Sequence, residues 1–353
     1  MNADTIIKDK NAFHLFDNYR GFLASNYPEP FQNFVLNNYA GNYFQSLDFL
    51  DLCDGLSNFE PVLILAIDEQ ENICGSLLSV LQTTGTGLKS WFSRRLMVWG
   101  GPLVQKKGHL EIASGLLKSL KKYAGGKAIF VEFRNINDME ILNPVFEKQG
   151  FQFQPYLNFL IKTDDEASVM KRMHANRRRK IRKSLKSGAE CREANNLDEV
   201  SSFYKILENL YKTRVKKPLP EMELFVKLWQ SGAGKIFVVL YDKKVVGGAA
   251  CPVFNQRIIY DWFRCGLRDV AKGVFPAVLA AWAPIQYAIK YHYEHLDFMG
   301  AGKPDEPYGV RDFKAHFGGK KVAFGRFITV LNRPMFQLGK LGLKVYQKLH
   351  WQI

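Results

Sequence analysis

The stretch from His295 to Gly319, HLDFMGAGKPDEPYGVRDFKAHFGG, combines residue types that can handle a developing negative charge. A short apolar strand from Leu296 to Met299 runs into a loop rich in glycine and proline. A helix bearing Phe313 and Lys314 is predicted to follow, and a double glycine ends it. Free backbone N–H groups and the positive end of a helix bind anions. The stretch therefore predicts an anion-handling corner, which we interpret as a reaction centre.

Lys314 is the residue of this corner on which a group-transfer reaction would depend. Moving an acyl group from an ester or thioester to an amine requires a proton acceptor, a group that stabilises the oxyanion, and a group that stabilises the leaving group. Near a helix N-terminus, Lys314 can bring positive charge to the oxyanion or to a phosphate of the donor. The alternative is a structural salt bridge from Lys314 to Asp312 or Glu306.

Carboxylates within apolar strands supply the candidate proton acceptors. Asp297 and Asp261 each lie in such a strand, and Glu132 lies in the similar segment FVEFRN. A carboxylate in that setting is unfavourable unless it is paired or functional. We assign Asp297 a catalytic role beside Lys314. The alternatives are that each carboxylate caps a turn or pairs with an arginine, and that the substrate supplies its own base.

A strongly basic segment lies between Met170 and Gly188, MKRMHANRRRKIRKSLKSG. Residues 171–186 hold nine Lys and Arg and no acid, a density that favours a nearby polyanion over a merely solvated helix face. Apolar Met170, Met173, Ile181 and Leu185 recur at roughly helical spacing, which predicts that this face docks while the rest stays basic. We assign the binding of an anionic partner's phosphates to Arg177, Arg178, Arg179, Lys180, Arg182 and Lys183.

The overall composition is that of a globular protein with an excess of positive charge. The 353 residues are 47% hydrophobic and 24% charged, and the net charge of +15 predicts an anionic partner. The five cysteines are scattered and lack metal spacing, so we expect reduced thiols, a cytoplasmic location and no bound metal. Charged residues interrupt any signal peptide, and the apolar, uncharged run 274–289 is too short to span a bilayer.

The order of predicted elements occurs twice along the chain. PVLILAIDEQENICGSLLSVL and KIFVVLYDKKVVGGAACPVF each read as a β-hairpin, and FEKQGF at 146–151 echoes FKAHFGG at 313–319. The alternative is a coincidental echo of common strand–turn–strand patterns. We predict an α/β (α+β) fold of two similar units, with subdomains at 1–162 and 163–330 and a basic amphipathic helix at 331–353. Only the second copy has Asp-Phe-x-Gly at 297–300 and a double glycine after the helix that follows it, so the chemistry is assigned there.

The C-terminal segment from Asn332 to Ile353 has a helical apolar stripe with lysines away from it. The stripe is formed by Met335, Leu338, Leu341, Val345 and Leu349. Such a helix usually packs onto its own domain. Peripheral contact with an anionic membrane surface is the functional alternative.

Several of these stretches together resemble the FemABX family of peptidoglycan interpeptide-bridge aminoacyltransferases, which are built from two acetyltransferase-like (GNAT) subdomains. The resemblance runs from about Phe44 to Phe327. It is carried by GGPLV at 100–104, by NRRRKIRKSLKSG at 176–188, and by LDFMG followed by GVRDFKAHFGG. It implies two tandem GNAT-like subdomains, each a mixed, mostly antiparallel sheet flanked by helices.

The resemblance also implies an activity and a set of residues. The activity is the transfer of an aminoacyl group from aminoacyl-tRNA to an amine of a peptidoglycan precursor, soluble or lipid-linked, in the bacterial cytoplasm or on the inner face of the membrane. The family's lysine after phenylalanine matches Lys314 after Phe313, at the acyl-donor end. Its mid-domain arginine and strand tyrosine match Arg214 and Tyr260. The residues assigned to substrate binding are Arg214, Tyr260, Trp262, Gly300, Gly302 and Arg311.

Two other functions remain open from the sequence. The first is an acyl-CoA-dependent N-acyltransferase of the same fold, which would be favoured by the Q/R-x-x-G-x-G/A pyrophosphate loop of acetyltransferases. RDVAKG at 268–273 approaches that loop but has the wrong spacing. The second is an inactive, basic RNA- or membrane-binding module, for which the glycine corner and Lys314 would be unnecessary. No cofactor is predicted beyond the aminoacyl-tRNA or acyl-CoA co-substrate.

Overall fold

The computed structural model describes residues 4–8, 11–85 and 87–349 of the chain. Within this part, residues up to Pro155 and from Phe324 onward form one compact unit, the N-terminal unit, and Tyr156–Ala323 form the other, the C-terminal unit. These divisions differ from the predicted boundaries at 162 and 330. The strand at 326–330 was predicted in the second subdomain but belongs to the N-terminal unit, and the strand at 158–162 was predicted in the first subdomain but belongs to the C-terminal unit. Pairing between strands so far apart in the chain leaves no local sequence pattern.

The N-terminal unit contains a mixed sheet in the order β1-β2-β3-β4-β5-β7-β17-β8, with β6 paired to β4. Strands β5 and β7 are parallel, and the other neighbouring pairs are antiparallel. The predicted first hairpin is confirmed. The strands of this sheet, numbered in chain order, are β1 (Asp4–Lys8), β2 (Asn11–Phe16), β3 (Phe59–Ile67), β4 (Ile73–Gln82), β5 (Arg95–Trp99), β6 (Leu103–Val104), β7 (Phe130–Arg134), β8 (Gln152–Gln154) and β17 (Arg326–Val330).

The helices of the N-terminal unit cover its sheet and carry the chain between strands. The long crossover helix α5 buries an apolar face, including Ile112, Leu116 and Leu120, that joins the core of this sheet. Its helices are α1 (Tyr19–Leu23), α2 (Pro28–Asn37), α3 (Leu47–Cys53), α4 (Leu88–Ser93), α5 (His109–Ala124), α6 (Asn143–Lys148) and α13 (Arg333–Leu349). Residues 350–353 of the predicted tail, and the side chains of 343–349, lie outside the described residues.

The C-terminal unit is built around a second mixed sheet, in the order β10-β11-β12-β13-β15-β9-β16, with β14 paired to β12. Asp242 and Lys243 both adopt positive φ in the turn of the β11–β12 hairpin, as a tight hairpin turn requires. Its strands are β9 (Asn158–Lys162), β10 (Glu190–Glu193), β11 (Gly234–Tyr241), β12 (Lys244–Phe254), β13 (Ile258–Tyr260), β14 (Phe263–Gly266), β15 (His295–Asp297) and β16 (Lys320–Val322).

The helices of the C-terminal unit include a crossover helix, α11, that joins the parallel strands β13 and β15. It buries Trp282, Leu279 and Ile285 in the core of this unit. Within the described residues, no helix has the length and apolarity needed to cross a bilayer. The helices are α7 (Glu166–Arg172), α8 (Ala175–Lys186), α9 (Leu197–Leu210), α10 (Met222–Gln230), α11 (Pro276–Lys290) and α12 (Gly309–Ala315), with a π-helical turn at Tyr211–Val215.

The two units repeat one plan. In each unit, an antiparallel hairpin (β3–β4 or β11–β12) is followed by a strand, β5 or β13. A long crossover helix, α5 or α11, connects this strand to its parallel partner, β7 or β15. A short helix, α6 or α12, follows that parallel strand. The predicted α/β fold of two similar units, each with a mixed and mostly antiparallel sheet, is therefore confirmed.

Candidate active site

The carboxyl ends of β13 and β15 bring two aspartates together in the C-terminal unit. The strands are parallel and in register at Tyr260 and Asp297, and the Asp261 N–H donates to the main-chain oxygen of Asp297 (2.9 Å). Asp261 was predicted to lie within an apolar strand, but the strand breaks at this residue, because β12 pairs with β14 along one part and with β13 along another. Both carboxyl groups are buried at this break.

Asp297 is held through one of its two oxygens. Oδ1 accepts hydrogen bonds from Asn158 Nδ2 (2.6 Å) and from the Met299 N–H (2.5 Å). Oδ2 is buried and has no hydrogen-bond partner among the described residues. Burial raises the pKa of Asp297 to about 6, against the opposing effect of those hydrogen bonds. Asp297 is therefore a fixed carboxyl group whose Oδ2 can accept a further hydrogen bond and whose pKa lies close to pH 7.

Asp261 forms an ion pair with Arg264 through its Oδ2. Its Oδ1 is buried and, within the described part of the chain, accepts no hydrogen bond. Burial raises the pKa of Asp261, and the adjacent Arg264 guanidinium opposes that rise. The alternative that this carboxylate pairs with an arginine is therefore confirmed for Oδ2. Oδ1 is left to accept a further hydrogen bond.

Lys314 is buried in the last turn of α12. Its Nζ donates to the main-chain oxygens of Phe298 (2.5 Å) and Gly300 (2.6 Å), which leaves the third N–H of the ammonium group uncommitted to these carbonyls. Burial, followed by the nearby Arg264 charge, lowers the pKa of Lys314 to about 8. The predicted position near a helix N-terminus is wrong, because α12 has only seven residues and Lys314 is the sixth.

The predicted structural salt bridge of Lys314 does not form. Glu306 pairs instead with the exposed Lys303 (3.0 Å). The charges that act on Lys314 are those of Arg264, Asp261 and Asp297.

The loop between β15 and α12 adopts backbone conformations that explain its composition. Met299, Gly300 and Gly302 have φ of 56°, 100° and 76°, a region that glycine adopts without strain. Asn158 Oδ1 accepts the Gly300 N–H (2.8 Å), so one asparagine joins this loop to Asp297. Arg311, assigned to substrate binding, donates to main-chain oxygens of the loop itself, those of Ala301, Lys303, Pro304 and Glu306.

Phe313 lies between two guanidinium groups. The guanidinium carbons of Arg177 and Arg264 are 4.2 Å and 4.9 Å from its ring centroid, and Arg177 also packs on Phe317 (4.7 Å). Arg177 donates to the main-chain oxygen of Phe313 (3.1 Å). Burial, with the Arg264 charge beside it, lowers the pKa of Arg177 to about 10. Phe313, the residue before Lys314, therefore packs against one buried and one partly buried cation.

The basic segment divides into a structural and an exposed part. Arg177 is buried in the cluster just described, and Arg178 donates to main-chain oxygens at the end of α7, including that of Met170 (3.2 Å). Their assignment to phosphate binding needs correction, because these guanidinium groups are engaged within the protein. Lys180 is half-buried beside the Phe275 ring (4.9 Å). The exposed members are Arg179, Arg182 and Lys183.

Of the remaining residues assigned to substrate binding, Tyr260 and Trp262 flank Asp261 in the chain, whereas Arg214 lies apart from the cluster. Tyr260 is buried at the end of β13, directly before Asp261. Trp262 follows that aspartate, and its ring lies 5.0 Å from that of Phe263. Arg214 lies on the exposed π-helical turn and does not contact Lys314 or Asp297.

Two residues of the cluster were missed from the sequence. Arg264 and Asn158 are both in strands, and Asn158 is 139 residues away from the Asp297 that it holds. The available signal was a polar side chain in an otherwise apolar strand, which is the signal that identified Asp297.

The arrangement brings together the groups that acyl transfer to an amine requires. Lys314 offers an N–H donor with positive charge, as an oxyanion needs, and Asp297 offers an acceptor for a proton. Both act in a buried setting, where electrostatic interactions are stronger than in water. Among the described residues, no group of three His, Cys, Asp or Glu side chains is placed to hold a metal ion.

Comparison with known proteins places these features in a family context. Residues 171–314 match the acetyltransferase (GNAT) domain family. A crystal structure of FemX superposes with a TM-score of 0.67 at 14% identity, covering 88% of this chain and 98% of FemX. The C-terminal domain of a putative lysylphosphatidylglycerol synthetase from Agrobacterium fabrum gives 0.56 at 12% identity, covering 88% and 94%.

A tandem GNAT protein from the clavulanic acid biosynthesis pathway gives a TM-score of 0.55 at 8% identity, covering 91% of this chain and 98% of that protein. No curated protein sequence matches the chain. The matched GNAT domain contains Asp261, Asp297 and Lys314. Residues 171–314 of the C-terminal unit therefore match the GNAT domain model, and the chain as a whole has the tandem GNAT-like fold that the FemX structure also has.

Proposed function

We propose that this protein transfers an aminoacyl group from aminoacyl-tRNA to an amine of a cell-envelope precursor, with Lys314 and Asp297 as catalytic residues. The observation that carries the proposal is the buried Lys314 ammonium, which is fixed on two main-chain oxygens and interacts electrostatically with the buried Asp297 carboxyl group. The FemABX resemblance supports an aminoacyl donor and a peptidoglycan peptide as acceptor.

The proposed reaction begins when the acceptor amine attacks the carbonyl carbon of the aminoacyl ester. The third N–H of Lys314 donates to the oxyanion that forms. The proton released from the amine nitrogen moves to Asp297 Oδ2, the buried acceptor without a partner in the described structure. Collapse of the intermediate breaks the ester C–O bond, and the proton returns to the tRNA hydroxyl that leaves. The products are an amide and uncharged tRNA.

Phe313, Arg177 and Arg264 have positioning roles in this proposal. Arg177 donates to the main-chain oxygen of Phe313, the residue before Lys314, and so fixes the last turn of α12. Arg264 holds Asp261 and, together with burial, lowers the pKa of Lys314. A lysine with a pKa of about 8 remains mostly charged at pH 7, but it is a stronger hydrogen-bond donor than an ordinary lysine.

The start of α11 favours tRNA over acyl-CoA as the donor. A pyrophosphate bound after the 268–273 loop would need free N–H groups at the start of this helix. Instead, the Phe275 N–H donates to Ser184 Oγ of the basic helix α8 (2.9 Å), and Pro276 has no N–H. A Cβ on Gly273 would lie 2.6 Å from Lys183 Cε, so α8 packs closely against this loop.

The exposed face of α8 supports a polyanionic donor. Arg179, Arg182 and Lys183 lie on this face, and residues 171–186 contain no acid. Basic side chains in such an array contact phosphates without reading sequence. A tRNA donor also implies reaction in the cytoplasm or at the inner face of the membrane, where the chain would meet a soluble or lipid-linked precursor.

Thermal stabilisation by each donor class tests the proposal. The protein is heated alone and with charged tRNA, uncharged tRNA, acetyl-CoA or long-chain acyl-CoA. A donor at 100 times its Kd adds about 2.7 kcal/mol to the free energy of unfolding. We expect the largest stabilisation with charged tRNA and less with uncharged tRNA. Stabilisation by an acyl-CoA alone would replace the aminoacyl donor with a thioester, and no stabilisation by any donor would contradict the proposal.

A further inference from the structure

Helices α4 and α13 pack together on one side of the N-terminal unit. A Cβ on Gly339 would lie 3.7 Å from the main-chain oxygen of Phe92, an ordinary van der Waals distance, so the two helices are in contact here. The start of α13 is fixed to the unit: the Met335 N–H donates to Asn332 Oδ1 (3.1 Å), and the Phe336 ring packs on Phe130 (5.3 Å). The amphipathic helix therefore has a defined position beside α4.

Large apolar side chains are exposed on both helices. Trp91 and Phe92 of α4 are 48% and 39% exposed, and Leu338 and Leu341 of α13 are 57% and 60% exposed. The rings of Trp91 and Phe92 contact each other edge to face at 5.2 Å. We call these four residues the α4–α13 surface. Clustered exposed apolar side chains of this size mark interaction sites.

The two sequence stretches that contribute the α4–α13 surface contain no acidic residue. Residues 72–110, which include α4, contain no Asp or Glu, and neither does the sequence after Asp312. The stretch 331–353 contains four Lys and Arg. Lys340 lies over the Phe336 ring, with Nζ 4.5 Å from the centroid, so its stem covers apolar surface while its charge is exposed.

We propose that the α4–α13 surface docks on an anionic lipid bilayer, with Trp91, Phe92, Leu338 and Leu341 inserted at the headgroup boundary. Tryptophan favours this interface, and basic amphipathic helices bind in its plane. Charge complementarity selects this occupant: an RNA would not require exposed leucines, and a second copy of this surface would bring like charges together.

Membrane docking would bring the enzyme to a lipid-linked acceptor, a consequence that rests on the proposed function. The binding itself does not depend on catalysis. The test therefore measures vesicle binding and transfer separately.

Cosedimentation of the full-length protein with vesicles tests the proposal. Vesicles of phosphatidylcholine alone are compared with vesicles containing 30% phosphatidylglycerol, a composition on the order of that in anionic membranes. We expect binding to the anionic vesicles, little to the neutral ones, and weaker binding in high salt. In the double variant Trp91→Gln, Leu341→Gln, binding should fall about tenfold or more, because two inserted apolar side chains are lost.

The matched control is Ile141→Gln, which changes an equally exposed apolar residue of the same unit, 58% exposed, outside this surface. It should bind vesicles like the wild type, and both variants should transfer to a soluble acceptor at the wild-type rate. Equal binding of the double variant and the control would overturn the proposal, and so would equal binding to neutral vesicles. A concentration-dependent dimer lost in the double variant would assign the surface to a second copy instead.

Discussion

Replacing Lys314 with Met should abolish most transfer while the protein stays folded. Methionine fills a similar volume but provides no N–H and no charge, so the oxyanion loses its donor. The loss of one oxyanion donor typically lowers kcat by about 10²–10³-fold. Lys314 also helps to keep the pKa of Asp297 from rising further, so its removal should lower the fraction of ionised Asp297 at neutral pH.

The effect on stability should be small, because two opposing contributions nearly cancel. The substitution removes two hydrogen bonds from a charged donor, each worth about 1.5–3 kcal/mol. It also removes a buried charge whose pKa falls from 10.5 to about 8, which corresponds to roughly 3 kcal/mol of unfavourable burial. We therefore expect the free energy of unfolding to fall by about 3 kcal/mol or less.

The pH profile provides a signature that a structural role would not produce. Transfer by the wild type should rise as Asp297 loses its proton near pH 6 and fall as Lys314 loses its proton near pH 8. The Lys314→Met variant should keep the acidic limb, shifted to higher pH, and lose the alkaline limb.

The assay measures single-turnover transfer from charged tRNA, with denaturant unfolding run in parallel. The control is Lys303→Met, which removes an exposed lysine of the same loop that pairs with Glu306. It should keep the wild-type rate and pH profile. A folded Lys314→Met protein with the wild-type rate, or with an unchanged alkaline limb, would refute the assignment of Lys314.

Three further outcomes follow. Asp297→Asn keeps an oxygen for Asn158 and Met299, so transfer should fall about 10²–10⁴-fold without unfolding. Because folded Asp297 retains a proton between pH 4 and 6 that the unfolded chain has lost, wild-type stability should decrease as pH rises through that window, and denaturant titrations of the variant should show a smaller decrease. Arg177→Met should lower the free energy of unfolding by about 1–3 kcal/mol and leave the salt dependence of tRNA affinity unchanged. Arg182→Gln should leave the unfolding curve unchanged and reduce the slope of log affinity against log salt by about 1, and a steep unaltered slope would exclude it from the phosphate contacts.

The sequence predicted the duplicated α/β plan and the residues of the reaction corner, since both depend on local patterns. Hairpins, the glycine loop and the Phe313–Lys314 pair are each contained within a short stretch. The exchange of β9 and β17 across the predicted boundaries was not predicted, because strand partners far apart in the chain are chosen by the sheet as a whole.

The predicted docking face of the basic segment is confirmed at Met170, Met173 and Ile181 but is wrong at Leu185, for a geometric reason. The pattern through Met170, Met173, Ile181 and Leu185 assumed one continuous helix, but α7 ends at Arg172 and α8 begins at Ala175. The break shifts the helical phase, so α8 buries Arg177 and Ile181, four residues apart, and leaves Leu185 exposed. The partners of Lys314 could not be predicted either, because they are main-chain oxygens placed by positive φ angles in the loop.

The most direct test of the central claim is the mass of the acceptor after reaction. Purified protein is incubated with charged tRNA and either a soluble or a lipid-linked peptidoglycan precursor, and parallel reactions contain acetyl-CoA or no donor. We expect the precursor to gain the mass of one aminoacyl residue through an amide bond, only with charged tRNA, and Lys314→Met to form almost none. A product formed only from acetyl-CoA, or equal product from the Lys314→Met variant, would contradict the account.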